Sequence, residues 1–472
     1  MKDRIYSPIN QVLDTSPLEM EAGSAALLVV DMQYFDADRD EGEGRTAKEL
    51  GVERYFEEYF AQIDAVIPRI QHLLALFRQK GIEVIHIRVS ELTEDSRDVG
   101  RKQLVRGFVV PAGSREADFL DDLQPVGDEL IVNKSSSGVF PVTNLDRLLR
   151  NLGITILVFT GTSTNGCVES AVRDAVDLGY EVVIVSDACA AGTLDTHNLA
   201  LSCLAGARTH ILSTDQVVGL IEPQETVASE GKSGLERVKP FLPKSPDETD
   251  SADRDPYDAI LPPALQLPLT QDNSALVLVD GQRFTCDPSL GLGARAAAQG
   301  RGESLSAYYA RVQSALVGME CLLHACRAHN VAVIHIRTAG RLPDGRDLSP
   351  KVRAQGFAFG PASPEAEFMP GVVPAPGEIV LDKPASGIFT GTGLDELLRN
   401  LALENLILAG ISYDGAIEGS IRSTSDRGYG LVVVPDACAT SLDALQEFLW
   451  TVESGVIQVK SVEETVAQIA SF

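Results

Sequence analysis

The stretch Ala25–Asp31, AALLVVD, decides the fold, because six apolar residues run without interruption into an aspartate. Such a run is typical of a strand that is buried on both faces of a parallel sheet. Similar runs occur at Ile82–Arg88 (IEVIHIR), Ile154–Thr160 (ITILVFT) and Glu181–Asp187 (EVVIVSD), and segments with helical periodicity separate them. Strands that alternate with helices predict the α/β class, here a Rossmann-like three-layer αβα architecture with a mainly parallel sheet.

The chain contains this pattern twice. Residues from Asp31 to Asp187 correspond to residues from Asp280 to Asp436 at a constant offset of 249 positions, with no gap. A repeat of this length indicates two domains with the same fold. The sequence therefore predicts one domain at residues 1–222 and another at 269–472, joined by a linker at 223–268 that is rich in Pro, Ser, Asp, Glu and Lys.

The composition excludes several classes of protein. The net charge is −27, whereas binding to nucleic acid needs a basic surface, so no nucleic-acid partner is expected. Solubility is the favoured explanation of this charge, and the steering of cationic ligands is the alternative. No stretch approaches the ~18 consecutive apolar residues that a membrane span requires. The seven cysteines are scattered and no export signal is evident, so reduced thiols and a cytoplasmic location are expected.

The residues that could carry chemistry follow different strands. Asp31 ends the first predicted strand, Lys134 follows the third, and Cys167 lies just beyond the fourth. Because ligands gather at the carboxyl ends of parallel strands, we expect these side chains to meet at one edge of the sheet. A thiol at a helix N-terminus feels the positive end of the helix dipole, and Lys134 adds a positive charge, so a thiolate is expected.

This placement favours one type of reaction. Asp31 can accept the thiol proton and later return it to a leaving amine. The backbone N–H groups of Ser163 and Cys167 could hold the oxyanion of a tetrahedral intermediate. The sequence therefore predicts attack of the thiol on an amide-like carbonyl, release of an amine or ammonia, and hydrolysis of the thioester.

Three motifs resemble the isochorismatase-like cysteine hydrolases. They are Ala26–Gln33 (ALLVVDMQ), Lys134–Phe140 (KSSSGVF) and Thr160–Ala175 (TGTSTNGCVESAVRDA), of which the third is the most specific. The resemblance covers both halves of the chain. That family includes nicotinamidase, N-carbamoylsarcosine amidase, ureidoacrylate amidohydrolase and biuret hydrolase. The resemblance therefore implies the hydrolysis of a small amide, ureide or carbamoyl compound.

The resemblance also implies roles for single residues. It implies that Asp31, Lys134 and Cys167 form the catalytic triad of a cysteine hydrolase. It further implies that the peptide bond between Thr162 and Ser163 is cis, in the turn that would supply the oxyanion hole.

Metal binding is not expected. The nicotinamidase branch of the family has a metal site made of an aspartate and paired histidines near the triad. Between Asp31 and Lys134 this chain has only His72 and His86, which lack the spacing of a ligand pair. His86 lies in a strand pattern and recurs as His335, which favours a structural role. We therefore expect no metal and no other cofactor, and nicotinamide becomes a less favoured substrate.

Four residues near the triad in sequence are candidates for contact with a small amide-type substrate. They are Gln33, Phe35, Phe140 and Asn165. The alternative is that the two phenylalanines belong to the core and that Asn165 is part of a turn, where Asn is common.

The second copy lacks the nucleophile. Asp280 and Lys383 are retained, but Ala416 occupies the cysteine position in the loop Gly410–Ser420 (GISYDGAIEGS), so thioester chemistry is impossible there. The favoured interpretation is a degenerate domain kept as a built-in partner, an intra-chain pseudo-dimer. Alternatives are a ligand-binding site, or a vinyl-ether hydrolase that acts through Asp280 as in the isochorismatases. For the whole chain, the alternative to an amidohydrolase is a non-catalytic binding protein on the same fold.

Overall fold

The computed structural model describes residues 22–222, 255–262, 266–441 and 456–472, together with positions 18 and 20. The chain divides into two compact units, of which the first ends at Leu261 and the second begins at Pro262. Each unit is built on one six-stranded sheet. The prediction of two α/β domains in tandem is confirmed.

The sheet of the first unit has its first strand in the middle. Its strands are β1 (Ala25–Val30), β2 (Glu83–Val89), β3 (Leu130–Lys134), β4 (Ile156–Thr162), β5 (Glu181–Ala190) and β6 (Thr209–Leu212). They lie in the order β3-β2-β1-β4-β5-β6, and every neighbouring pair is parallel. The chain direction across the sheet therefore reverses between β1 and β4, which is where ligands bind in open sheets of this type.

Helices cover both faces of this sheet. They are α1 (Tyr34–Ala37), α2 (Gly42–Leu50), α3 (Glu57–Lys80), α4 (Arg101–Arg106), α5 (Leu145–Asn151), α6 (Glu169–Asp177), α7 (Leu194–Leu204), α8 (Thr214–Ile221) and α9 (Pro256–Ile260). Because side chains of a strand alternate between faces, Leu27 packs into the core beneath α3 whereas Leu28 packs into a second core with α5 and α6. Both are fully buried. Two cores on one sheet confirm the three-layer prediction.

The second unit repeats this plan. Its strands are β7 (Ser274–Val279), β8 (Ala332–Thr338), β9 (Ile379–Lys383), β10 (Asn405–Ile411), β11 (Gly430–Ala439) and β12 (Ile457–Val459), in the equivalent order. Its helices are α10 (Arg283–Cys286), α11 (Gly291–Ala298), α12 (Ser306–Ala328), α13 (Pro350–Ala354), α14 (Leu394–Asn400), α15 (Glu418–Asp426) and α16 (Val462–Ile469). Even the helix ends correspond. Gly81 after α3 and Asn330 after α12 both adopt positive φ, of 62° and 53°, a conformation that these two residue types tolerate.

The segment predicted as a linker, 223–268, lies mostly outside the described residues, but two parts of it are packed. Helix α9 joins the first unit, where the ring of Tyr257 lies 6.1 Å from those of Phe56 and Tyr59. Leu267 and Leu269 belong to the core of the second unit. Residues 256–260 and Leu267, which the sequence assigns to the linker, are therefore packed into the units.

Among the helices that the structure describes, none combines the length and the apolar character needed to cross a membrane.

Candidate active site

Asp31 follows β1 directly and has an unusual backbone conformation. Its φ is +51°, and its backbone N–H donates to the carbonyl of Ile87 at 2.8 Å. Asp280 has the same conformation, with φ of +54°. Positive φ is uncommon for residues other than glycine, although aspartate tolerates it better than most, and such conformations concentrate at functional sites. The strand end therefore holds a carboxylate in a fixed place in both units.

The three residues of the predicted triad meet. Lys134, the last residue of β3, places Nζ 2.9 Å from Asp31 Oδ2 and 3.3 Å from Cys167 Sγ. The same ammonium donates to the carbonyl of Ser136 at 3.1 Å. An ammonium has three N–H donors, and this one lies within 3.3 Å of three acceptors. Only 1% of the Asp31 and Lys134 side chains is exposed, whereas Cys167 is partly exposed.

Cys167 lies in a tight turn after β4. The peptide bond between Thr162 and Ser163 is cis, as the resemblance implied. One π-helical turn follows at Thr164–Val168 and leads into α6. The Ser163 carbonyl accepts the N–H groups of Gly166 at 2.9 Å and of Val168 at 3.2 Å, and neither bond uses the N–H of Cys167.

The electrostatics differ from the expectation of a thiolate. Burial, followed by the charge of the Asp31 carboxylate, raises the pKa of Cys167, although Lys134 acts in the opposite direction. Burial by itself would lower the pKa of Lys134, but the charge of the neighbouring Asp31 carboxylate raises it overall. The expectation of a thiolate left out this burial and the Asp31 charge. The raised pKa favours a neutral thiol beside the contact between Asp31 and Lys134, so the thiol needs a base.

Asp31 has an oxygen available for that task. Both oxygens of the Asp31 carboxylate are buried without a conventional hydrogen bond among the described residues, but Oδ2 is ion-paired with Lys134 whereas Oδ1 is not. A buried carboxylate oxygen without a donor is costly in a structure that serves packing alone. The geometry thus leaves one acceptor oxygen beside the neutral thiol.

Gln33 has a structural position, contrary to its predicted contact with substrate. Its side chain is fully buried, and Nε2 donates to the carbonyls of Val89 and Glu116 at 3.0 Å each. Its Oε1 accepts the N–H of Val89 at 2.7 Å. Gln282 makes the same bonds in the second unit. Because both N–H groups of the amide bind backbone carbonyls, this residue stabilises the loop after β2.

The side chains of the other three candidates for substrate contact also contact neighbouring protein side chains. Phe35 packs edge-on against Phe108 with ring centroids 5.6 Å apart, and Phe140 stacks on Tyr180 at 6.1 Å. Asn165 Oδ1 accepts a hydrogen bond of 2.6 Å from the hydroxyl two residues earlier. These contacts favour the structural alternatives, namely core packing for the phenylalanines and a turn for Asn165.

Two carboxyl groups near the triad were missed by the sequence reasoning. Asp36 is 9% exposed and Glu43 2% exposed, and Oδ2 of the former and Oε2 of the latter are unpartnered among the described residues. Burial and the neighbouring Asp31 charge raise the pKa of Asp36 well above its ordinary value, with Lys134 opposing. A signal was present in the sequence, because the repeat has Thr285 and Leu292 at these positions.

His86 is held by a carboxylate. Its Nε2 lies 2.9 Å from Glu129 Oε2, and Arg78 Nε donates to the other oxygen of that carboxylate at 2.7 Å. His335 and Glu378 repeat this contact at 2.9 Å. Over the described parts of the chain, no group of three or more His, Cys, Asp or Glu side chains is arranged to hold a metal ion.

In the equivalent site of the second unit, the lysine contacts a threonine hydroxyl instead of a thiol. Lys383 Nζ lies 2.8 Å from Asp280 Oδ2 and donates to Thr338 Oγ1, also at 2.8 Å. The Thr338 hydroxyl donates to Asp280 Oδ1 at 3.0 Å, and its backbone N–H donates to the same oxygen at 2.9 Å. Both oxygens of this carboxylate therefore have partners. Ala416 lies at the cysteine position and is buried, while Val89 is the first unit's counterpart of Thr338.

The fold and the site define an α/β protein with an aspartate, a lysine and a cysteine at the reversal point of a Rossmann-like sheet. The isochorismatase domain model matches residues 25–216 and again residues 274–460. The chain therefore belongs to the isochorismatase family.

Two relatives and one solved structure illustrate the similarity. Ureidoacrylate amidohydrolase RutB of Serratia proteamaculans is 29% identical over 206 residues, which cover 39% of this chain and 79% of that protein. The uncharacterized isochorismatase family protein YrdC of Bacillus subtilis is 29% identical over 204 residues, 41% of this chain and 94% of that protein. The crystal structure of an isochorismatase-like hydrolase from Alkaliphilus metalliredigens is 27% identical, covers 43% of this chain and all of that chain (100%), and has a TM-score of 0.35.

Proposed function

We propose that the first unit is a cysteine-dependent amidohydrolase that cleaves a C–N bond in a small amide, ureide or carbamoyl compound. The observation that carries this proposal is the contact of Lys134 with both other members of the triad, 2.9 Å to the Asp31 carboxylate and 3.3 Å to the Cys167 sulfur. A similar relative that acts as a ureidoacrylate amidohydrolase supports the choice of the amide class.

The reaction begins with the neutral thiol. Oδ1 of Asp31 takes the proton of Cys167 as the sulfur forms a bond to the substrate carbonyl carbon, and the adjacent Lys134 ammonium stabilises the charge on sulfur. The carbonyl oxygen becomes an oxyanion, which the backbone N–H groups of Ser163 and Cys167 are proposed to bind. Asp31 then returns the proton to the leaving nitrogen as the C–N bond breaks.

A thioester remains and is hydrolysed in the second half of the reaction. Asp31, again ionised, removes a proton from water as the water oxygen attacks the thioester carbonyl. The bond between carbon and sulfur breaks, the sulfur recovers a proton from Asp31, and the acid product leaves. The same carboxylate thus acts twice as a base and twice as an acid, which requires that one of its oxygens stays accessible to the reacting groups.

We propose that residues 1–222 form the catalytic domain and residues 269–472 a degenerate domain that forms an intra-chain pseudo-dimer with it. The alternative of a vinyl-ether hydrolase at Asp280 has less support, because Thr338 occupies Oδ1 of that carboxylate with two hydrogen bonds. An aspartate engaged in this way is a poor proton donor for a substrate.

The test is Cys167→Ala in the full-length chain, assayed for ammonia release over a panel of small amides, ureides and carbamoyl amino acids. We expect turnover to fall by at least about a thousandfold, because removing the nucleophile of a catalytic triad has effects of that size or more. Cys321→Ala is the matched control, since Cys321 is an exposed thiol of the second unit. Turnover of the Cys167→Ala variant within a few-fold of the parent would contradict the proposal, and tight binding without turnover by the parent would favour the non-catalytic alternative.

A further inference from the structure

Asp36 and Glu43 form a pair of buried carboxyl groups next to the triad, and the proposed reaction does not use them. Asp36 lies on α1 and Glu43 on α2, in the segment that follows β1. Asp36 is close enough to the triad that its charge affects both Lys134 and Cys167. Each carboxyl has one buried oxygen without a hydrogen-bond partner among the described residues. Such groups are rare in folded proteins unless a ligand satisfies them.

The second unit shows that the fold does not need this pair. Thr285 stands at the position of Asp36, and its hydroxyl donates to the carbonyl of Asp280 at 2.7 Å. Leu292 stands at the position of Glu43 and is 5% exposed in the apolar core. Both replacements are satisfied within their own unit. The carboxyl pair therefore occurs only in the unit that has the nucleophile.

One backbone contact beside the pair is the same in both units. The hydroxyl of Tyr59 donates to the backbone carbonyl of Asp36 at 2.9 Å. Tyr308 makes the equivalent bond to the carbonyl of Thr285 at 3.2 Å. The backbone carbonyl at the position of Asp36 thus has the same hydrogen-bond partner whether an aspartate or a threonine stands there.

In the part of the chain that the structure describes, the charged groups found to act on Asp36 and Glu43 include more carboxyls than cations. Lys134 is already paired with Asp31, which adds a further negative charge beside Asp36. From the other packed elements, Glu43 faces Arg106 of α4 and the hydroxyl of Tyr257 from α9. Tyr59 of α3 faces both carboxyls, and its hydroxyl is neutral because burial raises its pKa. The raised pKa of Cys167 favours its neutral form. Among the residues named here, three carboxyls thus face two cations.

We propose that Asp36 and Glu43 form a subsite for an ammonium or guanidinium group on the amide substrate, whose N–H donors would satisfy the two unpartnered oxygens. This inference rests on the proposed amidohydrolase function and narrows its substrate class to cationic amides, ureides or carbamoyl amines. Hydrogen bonds from a cation to buried carboxylates are short and strong, so they can discriminate between substrates of equal size. The strongly negative chain would also steer such a substrate towards the protein.

The first experiment compares two probes of equal length, 4-aminobutylurea, which ends in an ammonium, and the neutral pentylurea. The full-length protein should have a higher kcat/KM for the cationic probe. Asp36→Thr and Glu43→Leu introduce the residues that the second unit carries at these places, so the backbone can accommodate them. Each variant should lower the ratio of cationic to neutral kcat/KM by at least about tenfold. Asp40→Asn changes an exposed carboxylate of the same segment and should leave the ratio unchanged.

The second experiment measures binding without turnover. Isothermal titration of Cys167→Ala with 4-aminobutylurea, in two buffers of different ionisation enthalpy, should show proton release. The reason is that burial raises the pKa of both carboxyls and so favours their protonated forms, whereas a bound cation favours their ionised forms. Affinity should therefore also rise with pH. Pentylurea should show no release of protons.

The two experiments separate the failure of this inference from the failure of the proposed function. Proton-releasing binding of the cationic probe by a protein that turns over no amide would support the subsite and contradict the amidohydrolase. Turnover with equal kcat/KM for both probes, unchanged by Asp36→Thr and Glu43→Leu, would overturn the subsite and leave the function standing. Binding of 4-aminobutylurea without proton release would also overturn it, whether or not the two variants fold.

Discussion

Replacing Val89 by threonine should slow the chemistry of Cys167 by about tenfold to a hundredfold. Val89 is 2% exposed at the end of β2, and its counterpart Thr338 donates its hydroxyl to Asp280 Oδ1 at 3.0 Å. Valine and threonine have the same shape, so the new hydroxyl should take the equivalent place and donate to Oδ1 of Asp31. That oxygen is the proposed base for the thiol, and a donor bonded to it would compete with the thiol proton.

The magnitude follows from the cost of freeing the oxygen again. A hydrogen bond to a charged group contributes about 1.5–3 kcal/mol, and each 1.36 kcal/mol added to a barrier is a factor of ten in rate. We therefore expect kcat/KM for ammonia release and the alkylation rate of Cys167 by iodoacetamide to fall together. Val84→Thr is the control, because it buries a hydroxyl in the same strand away from the strand end and should change neither rate. Rates within twofold of the parent for Val89→Thr would refute the role assigned to Oδ1.

The reciprocal change can be made in the second unit. In the Cys167→Ala background, Ala416→Cys alone should give a thiol of low reactivity, because Thr338 occupies the neighbouring carboxylate. Adding Thr338→Val should increase its alkylation rate by a similar factor. Equal reactivity with and without Thr338→Val would show that the hydroxyl has no influence on the base.

Two further predictions concern stability and pH. The double variant Asp36→Thr, Glu43→Leu should melt at a higher temperature than the parent at pH 8, and the gain should shrink towards pH 4. Burial raises the pKa of both carboxyls, so the stability of the parent falls as pH rises from their ordinary pKa towards the raised one. Each kcal/mol of stability corresponds to roughly 2–4 °C in the melting temperature of a domain of this size, and calorimetry can measure a shift of this size. An equal gain at both pH values would contradict the assignment of the effect to the raised pKa values. Conversely, Glu129→Gln should destabilise the protein at pH 7 and cease to do so near pH 2. Burial acts to raise the pKa of Glu129, but hydrogen bonds led by Arg78 lower it to about 2, so the stability that it supplies is complete above pH 4.5 and is lost as pH falls towards 2. Denaturant titrations across that range check this, and a pH-independent loss would refute it.

The fold and the triad could be predicted because they depend on local patterns and a general rule. The apolar run before Asp31 identifies a strand buried on both faces, and the constant offset to Asp280 identifies the duplication. The rule that ligands bind at the carboxyl ends of parallel strands then places Lys134 and Cys167 beside that aspartate. None of these steps requires knowledge of packing.

The pocket and its charges could not be predicted in the same way. Nearness in sequence to Asp31 suggested Gln33 and Phe35, but a turn followed by a short helix points neighbouring side chains in different directions. The protonation of Cys167 depends on burial, which a sequence does not display. The comparison of the two repeats could have identified Asp36 and Glu43, because they differ from their counterparts. Only the structure shows that they are buried beside the triad.

The ion pair of Asp280 and Lys383 has a consequence for how mutants of the first unit are interpreted. It persists at 2.8 Å in a unit with no nucleophile, so this pair has a structural role that is independent of catalysis. Removing one partner of a buried ion pair typically costs about 3–5 kcal/mol. An inactive Asp31→Asn or Lys134→Ala variant could therefore reflect lost folding stability as much as lost chemistry. Asp280→Asn and Lys383→Ala measure only the loss of folding stability, because the second unit has no nucleophile. They therefore serve as stability controls for the matching mutations of Asp31 and Lys134.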